Sequence, residues 1–340
     1  MNTGKGPRGL EISGEEGILR YLEKRHGRGR TKGVALGIGD DGAELVVPGG
    51  RVLATTDLMI EGVHFRLTGT SVEDLGFKLA AVNVSDIAAM GGLPLYALLS
   101  MSLPAALDFD FVRRLSKGLK RAGRKYGMEL VGGDTTVSPG GVFLNLTLLG
   151  RPAGPRSLTR SAARQGDDIY VTGHLGASVL GLAALDLGEE KRRASHLRGV
   201  TARHLRPDPP AAWGAALARR ELCTAAIDIS DGLSTDLGRL CRASSAGAEI
   251  FTADLPIRRG TVLAASALDR NAVEAALHGG EEYELLFTVD PSKAGAMKRL
   301  ARRMKVAVTP IGSVTGGRRI SQIGRGGERF PLEPAGWRHF

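Results

Sequence analysis

The sequence contains few cysteines and has no long apolar run. Its two cysteines, Cys223 and Cys241, have neither a Cys-x-x-Cys spacing nor a neighbouring histidine cluster, so we expect reduced, buried thiols rather than a metal or catalytic site. No apolar stretch reaches the length of a membrane span, and residues 1–9 lack the apolar core of a signal peptide. These absences predict a cytoplasmic protein without a membrane partner.

Aromatic residues make up only 5% of the sequence, although its formal net charge is +10. A basic chain can bind nucleic acid, but a single-strand binding surface needs aromatic side chains interleaved with the basic ones. Here the basic residues are spread over many segments, with one short cluster at Lys24–Lys32. We therefore expect no nucleic-acid partner and favour a solvated basic surface that attracts phosphate-bearing small molecules. A basic nucleic-acid-binding protein remains the alternative from another functional class.

The common signatures of nucleotide-dependent phosphoryl transfer are also missing. The sequence has no G-x-x-x-x-G-K-[ST] segment and no H-R-D catalytic loop. Gly37, Gly39 and Gly42 match the dinucleotide pattern G-x-G-x-x-G, but residues 44–50 are predicted as strand and turn where that pattern requires a helix. Two aspartates inside the pattern would also repel a pyrophosphate unless a metal intervened. Any kinase activity must therefore rest on another fold.

Strands and helices alternate along the sequence, which predicts a mixed α and β protein with two lobes. A capping box at Ser71–Asp74 begins a long helix that runs to Met90, and Phe109–Tyr126 is a basic amphipathic helix. The two prolines and the glycine of Arg151–Pro155 follow a finished strand and predict the domain boundary. We therefore expect a flexible tail at residues 1–10, an N-terminal domain at 11–150 and a C-terminal domain at 151–340.

Aspartates recur where predicted strands meet loops. The first case follows Val52–Ala54, after which Thr55, Thr56 and Asp57 are expected to lie in a loop. One such case is more often a turn or a helix cap than a metal site. The recurrence favours a metal site, because two carboxylates ~4 Å apart repel each other by roughly 4 kcal/mol at an effective dielectric of about 20. The candidates are Asp40, Asp57, Asp86, Asp134, Asp228 and Asp231.

Oxygen ligands of this kind predict several Mg²⁺ ions rather than zinc. Mg²⁺ prefers carboxylate and hydroxyl oxygens and bridges to phosphate oxygens, whereas zinc sites are built from histidine and cysteine. The sequence offers no histidine pair or cysteine set that supports zinc. A Mg²⁺-rich site with glycine turns nearby indicates phosphoryl transfer.

Together, these motifs resemble those of the thiamine-monophosphate kinase family, whose superfamily includes aminoimidazole ribonucleotide synthetase and selenide water dikinase. The resemblance covers about residues 11–340 and rests on the ordered set rather than on any single motif. The motifs are Gly37–Asp41, Thr55–Asp57, Val63–Phe65, Ala81–Gly91, Gly132–Thr136, Leu158–Ser161, Ile227–Gly232, Gly279–Glu281 and the ending at Trp337.

The resemblance implies an enzyme that phosphorylates thiamine monophosphate to thiamine diphosphate with ATP. It also implies a two-lobed, mixed α+β fold like that of aminoimidazole ribonucleotide synthetase, with a C-terminal α/β lobe. The implied assembly is a homodimer in which N-terminal strands of two subunits form a shared β-barrel, with the site in a cleft between lobes. The alternative is a sister ATP-dependent enzyme with another acceptor, although the mid-chain positions of both cysteines disfavour a selenide dikinase.

Roles follow from the resemblance position by position. The implied metal ligands are Asp40, Thr55, Thr56, Asp57, Asp86, Asp134, Asp228 and Asp231. The implied ATP contacts are Gly133, Asp134, Arg160 and Ser230. The implied contacts to the thiamine phosphate are His64, Glu281 and Trp337. The residues on which catalysis is expected to depend are Asp57, Asp134, Arg160 and Asp228. The sequence departs from the family pattern at Gly42, Glu282 and Arg338.

Overall fold

The computed structural model describes residues 10–26 and 32–337. The helices are α1 (Leu10–His26), α2 (Val72–Ala89), α3 (Phe109–Tyr126), α4 (Ala177–Leu185), α5 (Glu189–Arg192), α6 (Ser195–Leu205), α7 (Ala211–Arg219), α8 (Leu233–Ser244), α9 (Arg259–Ala267), α10 (Ala272–His278) and α11 (Ala294–Met304). The strands are β1 (Val34–Leu36), β2 (Ala43–Val47), β3 (Gly50–Ile60), β4 (Gly92–Pro104), β5 (Glu129–Ser138), β6 (Phe143–Pro152), β7 (Asp168–Thr172), β8 (Ala225–Asp228), β9 (Gly247–Phe251), β10 (Leu285–Val289), β11 (Val308–Thr315), β12 (Ile320–Ile323) and β13 (Arg329–Pro331). The predicted tail lies outside the described residues except for Leu10, as does the middle of the Lys24–Lys32 cluster.

The N-terminal lobe is a six-stranded sheet covered on one face by α2 and α3. Its strand order is β1-β2-β3-β6-β4-β5, and all pairs are antiparallel except β4 with β5. The Ser71 hydroxyl accepts the Asp74 N–H at 3.1 Å and caps α2 as predicted. α2 is buried on nearly every side because it also touches α7 and β8 of the C-terminal lobe. This helix therefore joins the two lobes.

The C-terminal lobe is a seven-stranded sheet with helices packed against it. Its order is β13-β12-β9-β11-β7-β10-β8, and only β12 with β9 is parallel. Apolar residues of β7, β8 and β10 form the centre of its core, together with residues of α8. A second cluster around Trp213 and Phe287 continues towards the end of α2. None of the described helices is long and apolar enough to span a membrane.

Two of the predicted strand ends are wrong. Thr55–Asp57 lies inside β3, which pairs with β6 from Leu53 to Ile60, and Gly132–Thr136 lies inside β5. A strand is held by hydrogen bonds between backbone groups, so polar side chains do not end it as long as a neighbouring strand continues beside it. The predicted site residues on these strands are therefore held by the sheet rather than by loops.

Several C-terminal elements were not predicted. The charged segment 188–205, expected as a connection, contains α5 and α6, and the glycine-rich tail contains β12 and β13. Residues 259–267, for which no element was expected, form α9. In α6 the apolar face is short, with Leu197 and Val200 buried between arginines, so the helical period is weak in the sequence. These segments form helices and strands only because the rest of the lobe supplies a surface on which they pack.

Candidate active site

Three aspartates from both lobes bring their carboxylates together. Asp41 lies in the turn between β1 and β2, Asp86 in the last turns of α2, and Asp228 at the end of β8. One carboxylate oxygen of each lies within 4.8 Å of the others. Asp86 and Asp228 were predicted as ligands, whereas Asp41 was not. We call these three residues the carboxylate cluster.

Polar groups of β3 and α2 surround the carboxylate cluster. Thr55 and Asp57 lie on the face of β3 that is turned towards α2, and the Thr55 hydroxyl donates a hydrogen bond to Asp86 Oδ2 at 2.5 Å. The carboxylates of Asp57 and Asp86 lie close enough to change each other's pKa. The Ser85 hydroxyl donates to Asp228 Oδ2 at 2.7 Å and so links the two lobes. These contacts fix the cluster without supplying a positive charge.

Burial and crowding shift the protonation of the cluster. Burial raises the pKa of Asp86 well above its usual value, and the charges of Asp57 and Asp228 raise it further. Burial, followed by the charge of Asp41, does the same for Asp228, and burial raises the pKa of Asp57 to about 6. Asp41 Oδ2 is buried and has no hydrogen-bond partner among the residues that the structure describes. A divalent cation fits this all-oxygen donor set, because it would relieve the repulsion and give that oxygen a partner.

Arg160 supplies the positive charge at one side of the cluster. Its guanidinium donates to Asp41 Oδ1 at 2.5 Å, and its backbone N–H donates to Asp40 Oδ2 at 3.3 Å. Although burial opposes it, the charge of Asp41 keeps the pKa of Arg160 above its usual value. Burial, then Asp41, raises the pKa of Asp40 to about 6. Arg160 therefore holds the first acidic turn against the segment that follows the N-terminal lobe.

Two predicted metal ligands lie on the other face of the six-stranded sheet. Asp57, Leu146 and Leu99 are paired on neighbouring strands and face the core. Thr56 precedes Asp57 on β3, and Asp134 pairs with Ser100, which follows Leu99 on β4. Because side chains alternate between the two faces of a sheet, Thr56 and Asp134 face away from the core. β5 is three strands from β3, about 14 Å across the sheet. Thr56 instead contacts Asn145 and Thr147. Within one chain, the structure does not bring Thr56 or Asp134 to the carboxylate cluster.

Asp231 is also separate from the cluster. Its carboxylate forms an ion pair with Arg239 at 2.5 Å. The neighbouring Asp236, which was not predicted, accepts hydrogen bonds from the backbone N–H groups of Ser230, Asp231 and Gly232 at 3.0–3.1 Å. Asp236 thus fixes the loop that carries Ser230 at the start of α8, close to where the resemblance expects ATP.

The predicted acceptor contacts lie beside this loop. The backbone N–H of Glu281 donates to Ser230 O at 2.6 Å, and that of Trp337 donates to Asp231 O at 3.1 Å. The Trp337 side chain is 51% exposed. His64 Nδ1 accepts the Ile60 N–H at 3.0 Å, so in the neutral ring the proton is on Nε2. The charge of His64 acts on Glu281, which places both residues in one region.

Comparisons with known proteins identify the family. The family model described as "AIR synthase related protein, N-terminal domain" matches residues 39–151, and the corresponding C-terminal model matches residues 164–324. The thiamine-monophosphate kinase of Escherichia coli O157:H7 is 40% identical over 324 residues, which cover 95% of this chain and 97% of the relative. The chain belongs to the thiamine-monophosphate kinase family.

Other members of this kinase family agree in sequence and in fold. The Aquifex aeolicus thiamine-monophosphate kinase is 35% identical over 303 residues, covering 89% of this chain and 92% of the relative. The solved structure of AaThiL complexed with AMPPCP and TMP superimposes with a TM-score of 0.85 at 33% identity, covering 98% of this chain and 99% of that one. These comparisons confirm the predicted family and the two-lobed α+β fold.

Proposed function

We propose that this kinase transfers the γ-phosphoryl group of ATP directly to the phosphate of thiamine monophosphate, giving ADP and thiamine diphosphate. The carboxylate cluster, assembled from both lobes in a member of this family, is the observation that carries the proposal. AaThiL, complexed with AMPPCP and TMP, supports both the nucleotide and the acceptor. We also infer that the protein acts in the cytoplasm, where ATP is available.

Mg²⁺ is the cation that we propose for the cluster. Asp41, Asp86 and Asp228 would hold it, with Asp57 and Thr55 at their side, since all are oxygen donors. When bound, Mg²⁺ would neutralise phosphate charge and align the reacting groups. We retain Asp40 and Asp231 as predicted ligands of further ions, although the structure gives each an arginine partner.

The chain's own residues orient the acceptor and neutralise charge. The acceptor is already a phosphate oxyanion, so no strong general base is needed, and alignment can supply most of the catalysis. His64 stays a predicted contact of the acceptor, and Arg160 adds positive charge beside the acidic turn. Gly133 and Ser230 stay predicted ATP contacts, and Trp337 a predicted contact of the acceptor ring.

We also propose a homodimer formed through the outer face of the six-stranded sheet. Leu58, Tyr96 and Leu98 lie on that face with 40–50% of their surface exposed, which is unfavourable for an isolated chain. Thr56 and Asp134 share the same face. The barrel that the resemblance implies would cover this face with a second copy. It would also give these two residues a place in a site across the subunit interface.

The test is a coupled assay of ADP release with Mg²⁺ and ATP. Parallel reactions contain thiamine monophosphate, thiamine or no acceptor, and the product is identified by chromatography. We expect ADP and thiamine diphosphate only with thiamine monophosphate. Robust turnover on an aminoimidazole precursor or on selenide, with none on thiamine monophosphate, would overturn the proposal in favour of a sister enzyme.

A further inference from the structure

Glu281 lies between two buried basic side chains where the lobes meet. Lys78, on α2 of the N-terminal lobe, places Nζ 2.7 Å from Glu281 Oε1. His204, on α6 of the C-terminal lobe, places Nδ1 3.2 Å from Oε2. Lys78 and His204 are each only 3% exposed. Each oxygen of the carboxylate thus has a basic side chain beside it, one from each lobe.

The protonation of these groups follows from their burial. Burial, with the nearby charge of Lys78, lowers the pKa of His204 to about 4, so the ring is neutral at pH 7. His204 Nδ1 lies 3.2 Å from Glu281 Oε2 and 3.1 Å from the Ser178 hydroxyl. Because a carboxylate only accepts hydrogen bonds, the tautomer that suits Glu281 has its hydrogen on Nδ1. Burial alone would raise the pKa of Glu281, but Lys78, His204 and His64 bring it below its usual value. Glu281 is therefore an ionised carboxylate with a fixed orientation.

The backbone around Glu281 is also constrained. Glu281 has φ of 62° and Tyr283 has φ of 51°, a left-handed conformation that non-glycine residues rarely adopt. Hydrogen bonds from Glu281 N to Ser230 O and from Tyr283 N to Ile229 O hold the segment against the strand end that carries Asp228. Such conformations cluster at ligand sites, where the surroundings enforce them. The segment is built to present one side chain at a fixed place.

We infer that Lys78 and His204 are positioning residues that determine specificity for the acceptor through Glu281. They hold the carboxylate so that its remaining lone pairs meet an acceptor with an amino group or a positive charge, both of which thiamine monophosphate offers. The inference rests on the proposed function. Glu281 is a predicted contact of the acceptor and not of ATP, so we expect the pair to affect acceptor binding and to leave ATP binding unchanged.

The experiment compares Michaelis constants for thiamine monophosphate and for ATP. A hydrogen bond to a charged group contributes roughly 1.5–3 kcal/mol, which corresponds to about 10- to 100-fold. We expect Lys78→Met to raise the constant for thiamine monophosphate about 10-fold or more, and that for ATP less than about 2-fold. Lys78→Arg, which keeps the charge, should restore most of the loss. Arg51→Met is the matched control, because it breaks another 2.7 Å ion pair with a buried glutamate, Glu44.

A second variant covers the case in which Lys78→Met does not fold. His204→Phe removes the donor at Glu281 Oε2 without leaving a buried cation unpaired, and His204→Gln retains a donor. We expect His204→Phe to weaken acceptor binding and His204→Gln to leave it nearly unchanged. Folded variants whose two constants move together, or in which only the melting temperature falls, would overturn the inference. The wild-type protein separates the two proposals. If it has no turnover on thiamine monophosphate, the proposed function is refuted. If its turnover is normal and the Michaelis constants of the variants are unchanged, only this inference is refuted.

Discussion

The buried carboxylates of Asp57 and Asp228 are unfavourable for the fold, and both are predicted to be necessary for the chemistry. Both are carboxylates of the site region whose pKa burial raises, and they come from different lobes. Neither has an arginine or lysine within ion-pair distance among the described residues, whereas Asp231 has Arg239. A cation is the partner that would make their ionised forms stable.

We expect Asp57→Asn and Asp228→Asn each to lower turnover by roughly 100-fold or more, since each removes a ligand or aligned charge. Without Mg²⁺, the melting temperature should stay equal or rise, because one of the repelling charges is gone. The measurements are turnover at saturating Mg²⁺ and melting with EDTA or Mg²⁺. The control is Asp186→Asn, which removes an exposed carboxylate paired with Arg66. Near-normal turnover in either variant would mean that its carboxylate has only a structural role.

The buried His204 gives a pH dependence of stability with a defined sign. Its folded pKa of about 4 lies below the usual 6.5, so the folded state binds fewer protons than the unfolded state between these values. The stability that it contributes is complete above about pH 6.5 and is lost as the pH falls towards 4. Lys78 and Glu281 are the charged groups that face it.

We therefore expect wild type to lose about 2 kcal/mol more unfolding free energy than His204→Gln between pH 7.5 and pH 5. Urea unfolding at both pH values measures the difference, in which the titration of the aspartates cancels because both proteins share it. Equal losses in the two proteins would show that His204 titrates normally.

Many residues of the site could be predicted from their types, but the sequence does not show which of them contact one another. Asp228 follows from the recurrence of aspartates after strands, Asp86 lies near the end of a predicted helix, and Asp41 had a signal in its neighbour Asp40. Lys78 also had one, since it is a single lysine in an otherwise apolar stretch of α2. Its partner Glu281 is some 200 residues away in the chain, and no local spacing reveals contacts of that kind.

At the scale of elements, Gly133 on β5 could be glycine for two different reasons, the packing of the strands or the binding of ATP. A side chain at Gly133 would meet Leu99 O of β4 at 1.7 Å, so the close approach of the two strands already requires glycine. The packing of β5 against β4 thus accounts for glycine at this position, and the ATP contact predicted for Gly133 needs its own test. The same motif continues as strand, where a loop was predicted, because the ladder with β4 extends to Ser138.

The segment that follows β13 is the element on which the acceptor prediction for Trp337 depends. Its backbone is tied to α8 and to the preceding loop, since Gly336 N donates to the Thr235 hydroxyl and Trp337 N to Asp231 O. The indole is half exposed beside the Ser230 loop. An indole face attracts a cation such as a thiazolium by about 0.5–2 kcal/mol.

We expect Trp337→Ala to raise the Michaelis constant for thiamine monophosphate several-fold and to leave that for ATP nearly unchanged. Steady-state kinetics with each substrate varied in turn, together with a melting curve, provide the measurement. Trp337→Phe should lie between the two proteins, because its ring attracts cations less strongly. If both constants move together, or if only the melting temperature falls, the tail has a structural role alone.

At the scale of the whole molecule, the six-stranded sheet has one buried face and one exposed face. Helices α2 and α3 cover the first, and within one chain nothing among the described residues covers Leu58, Tyr96 and Leu98 on the second. In the sequence, the nearly continuous apolar run Leu95–Leu103 predicts a buried strand. The structure instead gives alternating exposure, as expected for an antiparallel sheet with one free face.

We expect Leu98→Asp to convert a dimer into a monomer, because it places a charge in the face proposed for the second copy. Light scattering coupled to gel filtration measures the mass, and turnover should fall with it if Thr56 and Asp134 act across the interface. Leu263→Asp on α9 is the control, with similar exposure on another surface. A wild-type protein that is monomeric at micromolar concentration contradicts the proposed assembly.

Helix α2 carries Lys78 near its middle and Asp86 near its end, eight residues apart. At 1.5 Å per residue this separation is about 12 Å along the axis, and a buried helix cannot stretch or shorten. Under the two proposals, α2 therefore sets the distance between Glu281, which would receive the ring of the acceptor, and the carboxylates that would surround its phosphate. An acceptor with the same two chemical groups but one carbon fewer or more between them would engage one end at a time. Discrimination between vitamin analogues then becomes a matter of length as much as of charge.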